Sequence, residues 1–258
     1  MAEQGLQAKS KKHYNEFPFD FLSKEDEANI DQLQPPPFRE FVEKYVKASD
    51  KVIDVGCGPG RASLFLFRKG VDLTSFDLSM GSIKLSRNRA KHDAYVCGTN
   101  LNLPLKSEAY DVVVSDGVIH HTPDAHAAFI ENARILKKDG YLFCAVYQRN
   151  RYYYYLYTYL GKPIRWLESN SIGKALIYST LLPIYYLVHL VKSRGKRSWV
   201  GAQNFFYDYI ITPQATFHTY EQIVEWGKAE NLKILDYDNK RSGNVHSFVF
   251  QKTETDRS

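Results

Sequence analysis

A chain of 258 residues with 44 % hydrophobic and 24 % charged residues has a globular composition and can bury a full core; α/β units of this length commonly form one domain. Its three cysteines, Cys57, Cys97 and Cys144, contain no C-x-x-C pair, which argues against a zinc site and a disulfide framework and for buried thiols in a reducing compartment. The net charge is +5, and the aromatic share of 14 % is high.

Met1 to Lys12 is polar and has no apolar run, so no secretory signal is expected, and the cytoplasm or the cytoplasmic face of a membrane is the expected location. An aromatic cluster (Tyr14, Phe17, Phe19, Phe21) and the Pro35-Pro-Pro37 turn lead into a short helix. In it Phe38, Phe41, Val42, Tyr45 and Val46 recur at helical spacing, and Pro37 suits the first turn. Residues 1–50 are predicted to form an N-terminal helical cap. Residues 51–146 alternate strand and helix five times, the pattern of βαβ units and a parallel sheet. Lys51-Val-Ile-Asp-Val-Gly-Cys-Gly-Pro-Gly60 reads as a strand running into Gly56, Gly58 and Gly60, where a ligand must approach bare backbone. Arg61 to Lys69 reads as a helix closed by Gly70. Val71 to Phe76 is the next strand, and Asp77 stands at its carboxyl end, the edge at which open parallel sheets bind ligands. A carboxylate there can accept hydrogen bonds from both hydroxyls of a ribose, so a nucleoside site is expected. Ser79 and Asp124 suit the N-caps of two later helices.

Glycine spacing bears on which nucleoside. Dinucleotide enzymes use G-x-G-x-x-G, whereas here the third glycine comes one residue early, arginine follows, and Pro59 removes an amide that could hold a pyrophosphate. The loop suits a ligand without a diphosphate, which weakens an NAD-linked oxidoreductase as a reading.

With Asp54 before the glycines and Asp77 after the second strand, the chain resembles the class I S-adenosylmethionine-dependent methyltransferases. The resemblance covers roughly residues 11–150. Val96-Cys-Gly-Thr-Asn-Leu-Asn-Leu-Pro-Leu105 is similar to a family segment whose acid bonds the adenine amino group; Thr99 stands at that place here. Tyr110-Asp-Val-Val-Val-Ser-Asp-Gly-Val-Ile-His-His-Thr-Pro-Asp124 resembles the fourth strand and its loop, and Glu131-Asn-Ala-Arg-Ile-Leu-Lys-Lys-Asp-Gly140 a following helix. The Gly-Val-Ile-His-His-Thr-Pro string is close to the type 11 subfamily, which includes quinone-biosynthesis methyltransferases. The resemblance implies S-adenosyl-L-methionine as cofactor, held by Asp54, Gly56, Cys57, Gly58, Gly60 and Asp77. It further implies Leu78 beside the adenine, Thr99, Asn100 and Leu101 at its edge, and Ser115 to His121 along the reaction centre. The implied fold is a doubly wound, seven-stranded, mostly parallel α/β sheet with an antiparallel last strand.

The insertion at residues 147–211 departs from a minimal methyltransferase. It holds 12 of the 19 tyrosines, with Tyr152-Tyr-Tyr-Tyr155 in a row. Its nine basic residues (Arg149, Arg151, Lys162, Arg165, Lys174, Lys192, Arg194, Lys196, Arg197) face two acids, Glu168 and Asp208. That net +7 against +5 for the chain leaves −2 elsewhere, so the basic character is local. Ala175 to Val191 is apolar for 17 residues and is interrupted by Ser179-Thr180, Pro183 and His189. Three readings stay open: a spanning helix, a lid of buried helices with a solvated basic face, and a lid that also sits on an anionic membrane surface. An aromatic lid of this size points to an amphipathic or apolar acceptor. Residues 212–258 complete the core with a helix and two antiparallel strands, Leu232 to Asp238 and Val245 to Gln251, whose short connection forbids a parallel crossover.

Methyl transfer needs alignment and exclusion of water, plus a base where the acceptor is a hydroxyl or ring carbon. His120 and His121 are the candidate bases, with structural packing or substrate contact the competing role, and Tyr14, Tyr147 and His218 are candidate substrate contacts. Metal binding by His120, His121 and His126 is not expected, since no carboxylate and histidine pair has ligand spacing. Two other classes stay in view. A nucleic-acid methyltransferase would use the basic aromatic insertion, although Ser115-Asp-Gly-Val-Ile-His120 lacks the Pro-Pro motif of amino-group methylases, so nucleic acid is the weaker partner. A non-catalytic cofactor-binding protein would bind the nucleoside and form no product.

Overall fold

The computed structural model describes residues 2–195, 198–241 and 243–254. Lys196 and Arg197 of the basic insertion lie outside the described residues. The polar start is a helix, α1 (Ala2–Glu16), followed by two short turns of helix, α2 (Lys24–Ala28) and α3 (Ile30–Leu33), and by α4 (Pro36–Tyr45). Polar composition concealed α1, which has no strong apolar stripe; tertiary bonds tie it down instead. Ser79 Oγ donates to Asn15 Oδ1 at 2.7 Å and to the Tyr14 carbonyl at 3.2 Å. In α4 the expected face is the buried one, with Pro37, Phe38, Phe41 and Val42 inward.

Then come β1 (Lys51–Val55), α5 (Arg61–Arg68), β2 (Asp72–Asp77), α6 (Met80–Arg89), β3 (Ala94–Cys97), β4 (Tyr110–Asp116), α7 (Ala125–Ile135) and β5 (Leu136–Tyr147). Gly70 adopts φ +77° beyond α5, and the side chains of Ser79 and Asp124 accept from Ser82 and Ala127 amides, so all three punctuation marks act as expected. Two expectations do not hold. The link from β3 to β4 is a loop with no helix, and α7 stops at Ile135, short of Gly140. Leu136 to Asp139 already belongs to β5, where Leu136 pairs with Tyr110 and the register shifts before Tyr141 meets Val112.

The insertion follows as α8 (Tyr152–Tyr155), α9 (Gly161–Glu168), α10 (Ser171–Leu176), α11 (Leu182–Lys192) and α12 (Trp199–Phe206). Three π-helical turns interrupt them: Leu156–Leu160, Ile177–Leu181 and Tyr207–Ile211. The chain closes with α13 (Tyr220–Ala229), β6 (Leu232–Asp238) and β7 (Val245–Lys252).

The seven strands form one sheet in the order β3-β2-β1-β4-β5-β7-β6. The first five pair in parallel, and β7 is antiparallel to both neighbours, as expected for the last strand. Strict alternation splits the side chains between two cores. Ile53, Val113 and Leu142 pack with α7 and α13, while Val52, Val112, Val114 and Phe143 pack with α4 and α5. Burial on both faces explains why these strands are nearly all apolar. The reversal of chain order between β2-β1 and β4 opens a crevice at the carboxyl ends of those strands.

Candidate active site

A cavity of about 320 Å³ lies in that crevice, bounded by the ends of β1, β2 and β4, by α1, and by the last turn of the insertion. Gly56, Gly58 and Gly60 all have positive φ. A Cβ on Gly56 would strike Val118 at 2.3 Å, and one on Gly60 would lie 2.8 Å from Ser86 Cα. At Gly58 it would meet no protein atom within 4 Å. Gly60 is therefore a helix-packing glycine that does not line the cavity, a correction to its expected place among the ligand contacts. The loop amides face β2: Gly56 and Cys57 N–H both donate to the Phe76 carbonyl, at 2.7 and 2.9 Å, and Gly58 N–H donates to Asp77 Oδ2 at 2.8 Å. What Gly56, Cys57 and Gly58 turn to the cavity is thus bare backbone rather than a row of donors.

Asp77 stands at the end of β2 with Oδ1 accepting from Ser79 N–H at 2.7 Å, and each carboxylate oxygen keeps further acceptor capacity. Burial pushes its pKa up to about 6 against the pull of these amides. Asp54 lies deeper, accepts from Ser63 Oγ at 2.6 Å, and is pushed up to about 7 by burial. Leu78, Thr99, Asn100 and Leu101 form the next wall. The Thr99 hydroxyl is already engaged: it accepts from Leu101 N–H at 3.1 Å and from the Gln7 side-chain amide. Asn100 differs, for its Oδ1 and Nδ2 are both buried without a partner among the described residues.

The candidate bases differ in surroundings. His120 borders the cavity but is fully buried, its ring 3.6 Å from that of Tyr147 and its Nδ1 accepting from Tyr147 N–H at 3.3 Å. Burial holds its pKa well below 6.5. His121 Nδ1 donates to the Gln214 carbonyl at 2.8 Å, since a carbonyl can only accept; Nε2 is then an acceptor in a ring whose pKa burial lowers to about 4. Tyr14 and Tyr147 line the cavity with them. Two expected residues do not. Ser115 is wholly buried within β4, and His218 sits away from the cavity, bonded to Thr216 Oγ1 at 2.9 Å and edge-on to Trp226.

Several residues of the site were not assigned to it from the sequence. Gln7 and Ser10 reach it from α1, and Phe19, Phe21 and Leu22 from the stretch after it. Arg61 pairs with Asp116 across the cavity wall and donates to Gln34 Oε1 at 2.8 Å. Asp208 enters from the insertion, almost fully buried, with Tyr14 Oη at 3.5 Å and no ion pair among the described residues. Burial pushes its pKa up to about 7. As one of only two acids in a basic insertion it could have been singled out, but nothing in the spacing placed it beside Tyr14.

Comparison with known proteins decides what this crevice belongs to. The type 11 family model described as "Methyltransferase domain" matches residues 53–144. A ubiquinone biosynthesis O-methyltransferase of Coxiella burnetii is 25 % identical over 166 residues, 62 % of this chain and 70 % of that protein. Residues 53–144 thus carry a type 11 methyltransferase domain, and the chain is a class I S-adenosylmethionine-dependent methyltransferase. A probable tRNA methyltransferase 9B of Homo sapiens is 33 % identical over 124 residues, 46 % of this chain and 26 % of that protein. Among solved structures, the 1,6-didemethyltoxoflavin-N1-methyltransferase of Burkholderia thailandensis with bound S-adenosylhomocysteine superposes with a TM-score of 0.57 at 13 % identity, covering 98 % of this chain and 92 % of that one. That likeness concerns the fold.

The methyltransferase uses S-adenosylmethionine, and two observations show that the residues present fit it. Gly58 borders open space that a Cβ would occupy. The orphaned amide of Asn100 offers one donor and one acceptor group to a ligand edge.

Proposed function

We propose that the methyltransferase acts on an amphipathic or apolar small molecule seated between α1 and the insertion, with Asp208 receiving the acceptor's proton. The observation behind this reading is Asp208, an acid with no ion pair among the described residues, set on the cavity wall with Phe19, Phe21, Tyr147 and Tyr209. A buried carboxyl without an ion pair is costly, and such groups are found where their basicity is used. With a pKa of about 7 it can take a proton near neutral pH, whereas His121, at about 4, is a poor base but a good hydrogen-bond acceptor for orienting an acceptor hydroxyl. His120, pressed on Tyr147, shapes the wall. In this reading Asp77 holds the ribose, Asn100 the adenine edge, and Gly56 to Gly58 the methionine part of the cofactor.

When bound, the cofactor supplies an electrophilic methyl carbon on a sulfonium. Toward that carbon His121 would orient the acceptor heteroatom, and Asp208 would take the proton that the heteroatom gives up on methylation. The relatives named for ubiquinone biosynthesis support an oxygen on a quinone-like ring as acceptor. Transfer of labelled methyl to a panel of alkyl- and prenyl-substituted phenols, with bulk tRNA as the contrasting arm, tests the reading. Product in the phenol arm is expected. Incorporation into RNA alone, together with a salt-dependent gel shift, replaces it with the nucleic-acid reading that the basic insertion favours.

A further inference from the structure

The insertion buries one side of its helices and leaves the other strongly apolar. Ser171 to Lys192 runs as one 22-residue helical rod, and only 11 % of its most apolar 18-residue stretch is buried. The buried residues are Gly173, Ile177 and Leu182, packed with Phe206, Tyr207, Ile210 and Ile211. The exposed ones are Ile172 (85 %), Leu176, Ile184, Leu187, Val188 and Val191 (79 %). Their spacing of mostly three and four, with Thr180 filling the one gap of eight, places them along one face of the rod. The preceding helical segment repeats the pattern with Tyr152, Tyr155, Tyr159 and Trp166 exposed. Scattered exposed apolar residues need no explanation, but a contiguous stripe of this length does.

Charge and packing decide what covers it. Lys162, Lys192 and Arg194 are exposed and make no ion pair among the described residues, and the insertion as a whole carries +7. A second copy docked by a twofold axis would set that charge against itself. A spanning helix would need lipid on all sides, yet this rod is locked on one side: Gly173 lies so close to the Leu167 carbonyl that a Cβ would stand 1.9 Å from it. An in-plane helix with an apolar face, interfacial tyrosine and tryptophan, and flanking lysines matches the surface of an anionic bilayer.

We propose that the outer face of the insertion is a docking surface for an anionic lipid bilayer, on which the rod lies flat. This goes beyond the acceptor reading and does not depend on it, since binding is read without any acceptor. The experiment is co-sedimentation of the full chain with vesicles of phosphatidylcholine alone or mixed with phosphatidylglycerol, beside calorimetric titration of S-adenosylmethionine. Binding is expected to the mixed vesicles, to fall with added salt, and to weaken about tenfold or more in the exposed double variant Ile172→Asp, Leu187→Asp, with cofactor affinity unchanged. Lys162→Glu with Lys192→Glu should reduce the preference for the anionic vesicles. Three results would overturn the proposal: no sedimentation with either vesicle, equal binding to both, or a concentration-dependent dimer in solution that the double variant abolishes.

Discussion

Both oxygens of Asp77 are held by backbone amides, whereas among the described residues the Asp208 carboxylate has the long bond from Tyr14. Asp77 is thus fixed in position and Asp208 is left free to exchange a proton. Asp77→Ala should weaken S-adenosylmethionine binding by about 1.5–3 kcal/mol, the scale of hydrogen bonds to a charged group, as read by calorimetry; an unchanged affinity removes the ribose assignment. Asp208→Asn should lower kcat by about 10²–10⁴-fold while leaving cofactor affinity intact, and wild-type kcat should rise with pH through about 7. The same variant has a stability signature. The folded pKa is raised from 3.8, so protonation favours the folded state, and the wild type loses that stability as pH climbs from about 4 to about 7. Asparagine does not ionise, so its melting temperature relative to wild type should be higher at pH 8 than at pH 5. At this scale Asp77 was legible because a strand, a glycine loop and an acid recur at set distances along the chain. Asp208 was not: 194 residues separate it from Tyr14, and no periodic pattern links them.

Among the elements, those with strong local chemistry match the reading from residues: the glycine-terminated strand, the Ser79 and Asp124 caps, and the apolar face of α4. Misreadings fall where local and tertiary preferences conflict. Ile135 to Lys138 continues a helical pattern, but pairing of Leu136 with Tyr110 draws the segment into β5. The polar α1 shows no stripe, and contacts with α6 hold it. Within the insertion the tight contact of α9 with α10 is the element most exposed to disruption. Gly173→Ala should destabilise that helical pair by about 1–3 kcal/mol through overpacking, seen as faster limited proteolysis of the insertion. Cofactor affinity should survive, because that contact lies outside the cavity wall.

For the molecule as a whole, stability is centred in the sheet and specificity at its carboxyl edge. Ile53, fully buried beside Val113, sits between the two halves of the parallel sheet. Ile53→Ala should cost about 2–5 kcal/mol of global stability in urea unfolding, a loss that no change on the outer face of the insertion should reproduce. Sequence alone pointed to the α/β class, the antiparallel close and a nucleoside site, because alternating strand and helix patterns, glycine spacing and strand-end acids are local properties that a one-dimensional chain records; the cofactor and the family came from the resemblance of its motifs. Only tertiary structure decided that the loop amides of Gly56 to Gly58 turn toward β2, that α1 forms a wall, that Gly60, Ser115 and His218 stay out of the cavity, and that Asp208 meets Tyr14 there. These depend on segments far apart in the chain arriving at one place, and on which side of each helix is left outside when the core has closed.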